Sequence, residues 1–402
     1  MLNEHLKYDL MKEKMEAASY LYKWTDKDEE WIGGEVPIPF MEKTGSVRSG
    51  RLVHADRVAS NRYLRGKLTP SEQAEIFMAA EFLEKDIFTH KGELKERTFI
   101  GDLLPRQMDC IQEEFITTLN HQILNSTRLD TAVGVGSAAG VVEVNRVERF
   151  ILDQYVKVGT ALGFVNAIDV NENQITITDA VNGGSPVDLS GEAANADIFQ
   201  EDFDTAVPLN GLSDMLLSEA NGGSANLHGI SKVSSPFLQA LNFDGSGIVA
   251  TDILQQNFNF YSEYKRKRKV GATDMWMSYK NLTAIMDRLE QDKGKDKFVR
   301  GSEREDAYGF TEIMLTGPKG RLKVVGIPEM DDDKILYMAE GSTKLHSNGG
   351  IQKIIDPDGK AYERVRDSEG TGSYRYICDM VWRGQFVLHS PYKCAIVHGI
   401  SF

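Results

Sequence analysis

The chain has few cysteines, no long apolar run and a shortage of basic residues. Its three cysteines, Cys110, Cys378 and Cys394, are too few and too scattered for a disulfide framework or a zinc cage. Its apolar runs fall far short of the roughly 18 residues that a membrane-spanning helix needs. The 46 basic and 60 acidic residues give a net charge of −14, which excludes a coat protein that works by neutralising nucleic-acid phosphates.

What is present is an ordinary globular composition, with 41% hydrophobic and 26% charged residues. A length of 402 residues suits two or three domains. The N-terminus lacks the charged-then-apolar pattern of a signal peptide. We therefore expect a soluble protein that is made in a reducing cytoplasm and does not enter a membrane.

The pattern of the first third of the chain predicts an N-terminal helix, an irregular segment and a second helix. Apolar residues at spacings of three to five predict an amphipathic helix over the first 24 residues, which packs on its own domain or on a neighbouring chain. Glycines and prolines interrupt residues 33–99, so we expect an extended, projecting element there. It carries a cluster of basic residues: Arg48, Arg51, Arg57, Arg62, Arg65 and Lys67.

The clearest single element follows this segment. Asp102 and Pro105 predict a helix start, and apolar residues then recur by threes and fours to Ile123. Asn125 and Ser126 end this helix, which spans residues 102–125. Cys110 lies on or beside the apolar face and is predicted to be a small core residue.

The middle of the chain predicts loops and short strands. The glycine-rich stretch 134–140 lacks a preceding strand, which favours a flexible loop over a dinucleotide site. A helix is predicted over 144–154. A β-hairpin is predicted from residue 164 to residue 177, with a turn at 171–173. Residues 181–231, rich in Gly, Asn, Ser and Asp, indicate a surface insertion.

A new domain is predicted to begin near Ser234. A helix capped by Thr251 or Asp252 closes in the basic run 265–269. In a chain of net charge −14, this run suits the helix dipole or a contact with another subunit better than a contact with DNA. Ser278 caps a second helix. Strands are predicted at 275–277, 322–325, 335–338, 374–378, 385–388 and 395–397. Helices and strands alternate irregularly, so the predicted class is α+β.

Motifs that mark catalytic, metal-binding or phosphate-binding sites are scarce in the sequence. The eight histidines are spread singly, with no His-x-x-x-His pair, and neither a nucleophile elbow nor a phosphate loop occurs. Asp331, Asp332 and Asp333 resemble a hard-cation site, but a polar turn is the simpler interpretation. The sequence therefore predicts no catalytic residue, no metal ligand and no cofactor, and a structural protein rather than an enzyme.

Several short segments resemble one family when they are read in order. They are 99–105 before the long helix, 270–277, 314–319 with 326–330, 382–386 and 390–395. Together they resemble the major capsid protein of tailed double-stranded DNA bacteriophages, whose Hong Kong 97-type fold is shared by encapsulins. The resemblance covers most of the chain, whereas the segment 181–231 departs from the family's pattern.

The resemblance implies a division of the chain. It would consist of an N-terminal arm (1–33), an E-loop hairpin (34–99), a P-domain (100–233) with spine helix 102–125 and insertion 181–231, an A-domain (234–385) and a C-terminal return strand (386–402). The six basic residues of the E-loop would contact neighbouring subunits. Some family members crosslink an E-loop lysine covalently, but the spacing assigns Lys67 no partner, so we interpret it as a surface lysine.

The resemblance also implies the function and the partners. The chain would self-assemble as hexamers and pentamers into the icosahedral head that encloses the phage DNA, in a virion assembled in the cytoplasm of a bacterial host. Its partners would be further copies of itself, a separate scaffolding protein, a portal protein and a decoration protein. We expect no proteolytic removal of the N-terminal arm. The alternatives are an encapsulin-like compartment, a β-rich tail or decoration protein, and an enzyme with a dispersed site.

Overall fold

The computed structural model describes the chain in segments. They are residues 15, 19–31, 34–43, 62–83, 97–136, 140–181, 183–193, 196–201, 207–268, 271–291, 298–299, 312–317, 320–353, 363–366 and 374–401. Helices and strands are mixed throughout these segments, which confirms the predicted α+β class.

The elements of the described residues are as follows. The α-helices are α1 (Tyr20–Trp24), α2 (Arg97–Asn125), α3 (Leu212–Leu216), α4 (Ile253–Lys267) and α5 (Tyr279–Gln291). The strands are β1 (Asp26–Asp28), β2 (Val36–Lys43), β3 (Arg62–Leu68), β4 (Ala74–Leu83), β5 (Arg128–Gly136), β6 (Val141–Val144), β7 (Tyr155–Val158), β8 (Ala161–Asp169), β9 (Gln174–Thr178), β10 (Asp197–Gln200), β11 (Asn226–Leu227), β12 (Ile230–Ser231), β13 (Leu241–Asp244), β14 (Asp274–Met277), β15 (Phe298–Val299), β16 (Glu312–Gly317), β17 (Gly320–Gly326), β18 (Ile335–Met338), β19 (Thr343–Ser347), β20 (Gln352–Lys353), β21 (Glu363–Arg366), β22 (Tyr374–Leu388) and β23 (Ala395–His398).

The chain divides into two compact units. The barrel unit comprises residues 121–211, and the main unit comprises the chain before and after it. The barrel unit is thus a different segment from the predicted insertion 181–231. Part of the predicted insertion is barrel strand β10, and part is α3 with the small β11–β12 hairpin of the main unit.

A mixed sheet forms one core of the main unit. Its described strands run in the order β13-β23-β18-β14-β17-β16-β15. All four residues of β14 are buried. Met275 and Met277 face a core shared with α4 and α5, whereas Trp276 lies against the rings of Tyr20 and Trp24. A strand buried on both faces is expected to be apolar along its length, and three of the four residues of β14 are apolar; the exception is Asp274. The predicted strands at 275–277, 322–325, 335–338 and 395–397 all lie in this sheet.

The N-terminal helix packs on the same strand. Ser19 caps α1, and the Trp24 and Trp276 rings meet edge to face with centroids 4.6 Å apart. The Tyr20 hydroxyl and the Trp24 indole N–H both donate to the Asp274 carboxylate, at 2.9 and 3.2 Å. The described part of the predicted N-terminal helix therefore packs on its own chain.

A second sheet of the main unit is organised around one long strand. β22 pairs with β4 along the whole length of β4 and also with β19, β20 and β21. The two strands predicted at 374–378 and 385–388 are thus one continuous strand, because β4 bonds to the residues between them. The proposed domain boundary between residues 385 and 386 falls inside this strand, and the last strand, β23, joins the sheet of the predicted A-domain.

The long helix is confirmed, with two corrections. α2 ends at Asn125 as predicted but begins at Arg97, so Pro105 lies within the helix and not in its first turn. Phe115 packs on Trp382 of β22, with ring centroids 5.9 Å apart. Cys110 is exposed and is not a core residue. It lies two residues, or about 200° of helical rotation, from the buried Gln112 and therefore faces away from the core.

The barrel unit closes six strands in the order β10-β5-β6-β9-β8-β7. Its core consists mainly of valine and isoleucine side chains that alternate inward, among them Val142, Val144 and Ile175. The predicted β-hairpin is confirmed as β8 and β9, with Asn173 in the left-handed conformation (φ 51°) in its turn.

The helix predicted over 144–154 is wrong, and the loop predicted over 134–140 is wrong at residues 134–136. Gly134 and Gly136 belong to β5 and pair with β6. The buried carboxylate of Asp130 accepts hydrogen bonds from the backbone N–H groups of Asn145 and Arg146, each at 2.8 Å. These bonds fix the chain in a turn after β6, and only a single 3-10 turn, Val147–Arg149, follows.

Candidate functional site

The hairpin formed by β2 and β3 carries the part of the predicted site that the structure describes. Arg62, Arg65 and Lys67 lie on β3, whereas Arg48, Arg51 and Arg57 fall outside the described residues. Arg65 and Lys67 are two residues apart and exposed, so they project from the same face of the strand. The structure therefore brings two of the six predicted residues together on one surface.

The two faces of the hairpin differ sharply in burial. Ile38, Phe40 and Leu68 are at most 1% exposed, whereas Tyr63, between Arg62 and Leu64 on β3, is 59% exposed. This alternation follows from the two-residue repeat of a β-strand. Gly66 faces inward, and a Cβ there would lie 2.8 Å from the Phe40 ring, so a larger residue would force this ring to move.

Both edges of the hairpin are modified in ways that oppose further strand pairing. Pro37 and Pro39 are two residues apart, so at these positions one edge of β2 has no N–H to donate. On β3, the Lys67 N–H donates to the His228 carbonyl oxygen at 3.4 Å. The exposed side-chain face, rather than a free strand edge, is thus what the hairpin offers to another molecule.

Lys67 already has a partner within its own chain. Its Nζ lies 2.9 Å from Glu35 Oε1, and both side chains are largely exposed. The hydrogen bond and the charge of Glu35 raise the pKa of Lys67 above its usual value. This intrachain ion pair could not be found from spacing, because it joins residues 32 positions apart, one just before β2 and the other on β3.

The base of the hairpin rests on the β11–β12 turn. His228 has φ 46° and Gly229 φ 80°, the pair of left-handed residues that a two-residue hairpin turn requires. The His228 ring stacks on Phe40 with centroids 6.0 Å apart and planes inclined by 8°. Ser235 donates to the Met41 carbonyl oxygen at 3.3 Å.

Sequence reasoning missed a group of three histidines near this base. His228, His346 and His389 come from three separate elements, and the charges of His389 and His346 both act on His228. Burial, followed by these charges, lowers the pKa of His228 to about 3, and burial lowers that of His389 to about 4. The His-Gly pair at 228–229 is the one sequence signal that marks a buried turn here.

The other sequence candidates have structural roles. Asp331 accepts from the buried Lys334 at 2.9 Å within a turn, as the polar-turn interpretation predicts. The basic run ends α4, where Lys267 pairs with Glu263 at 2.7 Å and Arg268 donates to the Gln239 carbonyl oxygen at 3.1 Å. Its predicted contact with another subunit stays a prediction.

The described segments of the chain contain neither a candidate metal site nor a helix suited to a membrane. No group of three or more His, Cys, Asp or Glu side chains in these segments is arranged to hold a metal ion. No helix in them combines the length and apolarity that a membrane crossing requires.

Comparisons with known proteins give similarity in structure but not in sequence. No protein-family model matches the sequence, and no curated protein matches it. The structure is similar to a chain of the cyanophage A-1(L) capsid asymmetric unit, with 12% identity over 97% of this chain and 93% of that chain and a TM-score of 0.49. It is also similar to the capsid of a native GTA particle (7% identity, 96% and 91%, TM-score 0.44) and to the cyanophage Pam1 capsid (9%, 93% and 87%, TM-score 0.43).

Proposed function

We propose that this chain is the structural subunit of an icosahedral shell of the tailed-phage type. It assembles as hexamers and pentamers around double-stranded DNA, with scaffolding, portal and decoration proteins as partners. The protein is a virion component that performs no catalysis. A phage head is preferred to an encapsulin-like compartment, which would share the fold.

The observation that carries this proposal is the β2–β3 hairpin. It is a two-stranded sheet among the described residues, and such sheets are marginally stable by themselves. It buries Ile38, Phe40 and Leu68 at its base but leaves Tyr63 and Arg65 on its outer face exposed. An element of this kind gains further burial from a neighbouring molecule, which is what a shell subunit requires.

Electrostatics supports the same proposal. A chain of net charge −14 presents an acidic surface, so the DNA inside a shell would not adhere to the wall. The basic outer face of the hairpin would then bind an acidic patch of an adjacent subunit. Contacts of this type set register and association rate more than affinity, so assembly should be sensitive to salt.

The test is reversal of the two exposed charges on β3. The double variant Arg65→Glu with Lys67→Glu should fold normally but fail to close shells, because each substitution turns an attraction into a repulsion. The chain would be expressed alone and together with the products of its neighbouring genes, and particles would be counted by negative-stain electron microscopy.

A matched control carries the same change of charge elsewhere. Lys280 and Arg321 are exposed, and the double variant Lys280→Glu with Arg321→Glu should still form closed shells. Normal shells from the hairpin variant would refute the role of the hairpin. A wild-type chain that stays monomeric with every neighbouring product, or that turns over a substrate as a monomer, would refute the shell itself.

A further inference from the structure

His228 lies where three segments of the main unit meet. Its ring stacks on Phe40 of the hairpin, and its carbonyl oxygen accepts from Lys67 of the same hairpin. Its Nε2 accepts a hydrogen bond from the Leu388 backbone N–H at 3.3 Å, at the end of β22. The side chain thus connects the hairpin to the central strand of the second sheet through a bond that only a neutral imidazole can accept.

Among the described residues, no acidic side chain offsets a positive charge on His228. His389 follows Leu388 directly, and its ring lies 6.2 Å from that of His346. The charged groups near these histidines are Asp28, at 3.4 Å from His346 Nδ1, Lys344, bound to Asp28 at 3.0 Å, and Asp26, which acts on His389. The charges that act on His228 itself come from the other two histidines.

We propose that His228 is an acid-sensitive latch that holds the base of the β2–β3 hairpin to the end of β22 and releases it when the imidazole is protonated. Protonation places a hydrogen on Nε2, so the bond from the Leu388 N–H is lost and two donors face each other. It also places a charge in a site that is 8% exposed, against an aromatic ring and beside two further histidines. The latch does not depend on the shell assignment, because it needs only the folded chain.

The sign of the pH dependence follows from proton binding. In the closed state the pKa of His228 is lowered to about 3, whereas in a solvent-exposed open state it returns to about 6.5. The open state therefore binds more protons between these values, and the closed state loses stability as the pH falls below about 6.5. At pH 5 this linkage increases the population of the open state about 30-fold relative to pH 7.5.

Hydrogen–deuterium exchange of the full chain measures this opening segment by segment. After correction for intrinsic rates, peptides covering 62–68, 226–231 and 386–390 should lose at least about 30-fold in protection between pH 7.5 and pH 5. Peptides covering β14 and α5, which lie in the other sheet and its core, should keep their protection. If the hairpin peptides of the wild-type chain are equally protected at pH 7.5 and at pH 5, the proposal is overturned.

The variant His228→Asn separates the latch from a general effect of acid. Asparagine tolerates the left-handed backbone at this position but does not titrate. This variant should reduce the ratio of the protection factors at pH 7.5 and pH 5 by about 30-fold, whatever its protection at pH 7.5. His228→Gln, which keeps a non-titrating acceptor, should do the same. His398→Asn, on β23, should leave the ratio unchanged, and an unchanged ratio in both His228 variants would refute the latch.

Discussion

The barrel unit and the main unit are built by opposite strategies. Every barrel strand lies between Arg128 and Gln200 and pairs with strands of that same segment. In the main unit Asp26 pairs with Lys344, and the residues of β4 pair with those of β22. The barrel is therefore specified by local sequence, whereas the main unit exists only when the two ends of the chain come together.

The chain enters and leaves the barrel unit at neighbouring positions. The barrel unit begins at His121, near the end of α2, and ends at Gly211, just before α3. A Cβ on Gly211 would lie 2.6 Å from the Ser126 backbone nitrogen, so the chain enters and leaves the barrel at adjacent points. A segment with adjacent ends and its own core has the form of an inserted domain.

The largest expected effect comes from cutting the chain into fragments. A fragment of residues 126–211 should fold by itself and unfold cooperatively, because its core and its strand pairings are internal. A fragment of residues 1–120 should not fold, because β1 and β4 lose their partners β19 and β22. Circular dichroism with urea titration would measure both outcomes.

A chain in which a short glycine linker replaces residues 127–210 provides the matched control. It should retain the fold of the main unit, since the linker joins two points that already touch. An unfolded barrel fragment, or a folded fragment 1–120, would contradict the comparison.

An intermediate effect is expected from one matched pair of core substitutions. Ile175 in the barrel and Ile335 in the main unit are both fully buried. Replacing either by alanine should cost about 2–5 kcal/mol of unfolding free energy through lost contacts and a cavity. Ile175→Ala should lower only the barrel transition in calorimetry, and Ile335→Ala only that of the main unit. A single unfolding transition whose midpoint falls with either substitution would show that the units do not unfold independently.

The smallest effect concerns the exposed ion pair of the hairpin. Lys67→Ala should shift the thermal midpoint of either unit by no more than about 1 °C, because an exposed ion pair contributes little to folding. Any effect of this variant on particle formation would then report an intermolecular role. A clear fall in the midpoint would instead make Lys67 a structural residue of the hairpin base.

The sequence predictions succeeded where the pattern is local. The β8–β9 hairpin was predicted from alternation and an Asn-rich turn, and α5 from its cap at Ser278, whose Oγ accepts from the Asn281 N–H. The helix predicted at 144–154 failed because a distant carboxylate, Asp130, captures two backbone N–H groups. Periodicity within one segment carries no information about such a partner.

The candidate site shows the same division. The interrupted pattern of residues 33–99 predicted an extended, projecting element and the family resemblance implied a hairpin, and Arg65 and Lys67 do lie exposed on one face of the β2–β3 hairpin. The ion pair of Lys67 with Glu35 and the meeting of His228, His346 and His389 were not predicted. Both join residues that are distant in the sequence, and their positions depend on the register of β2 and β3 and on the path of β22.

The sequence by itself determined the mixed class, the long helix, the buried strands around Trp276 and the acidic charge, because composition and periodicity set local burial. Only the tertiary structure decided that residues 121–211 close into a separate barrel and that residues 374–388 form one strand. It also decided that three histidines spread along the chain lie close enough for their charges to act on one another. These features depend on which distant segments pair, and that choice is made by the packing of the whole chain.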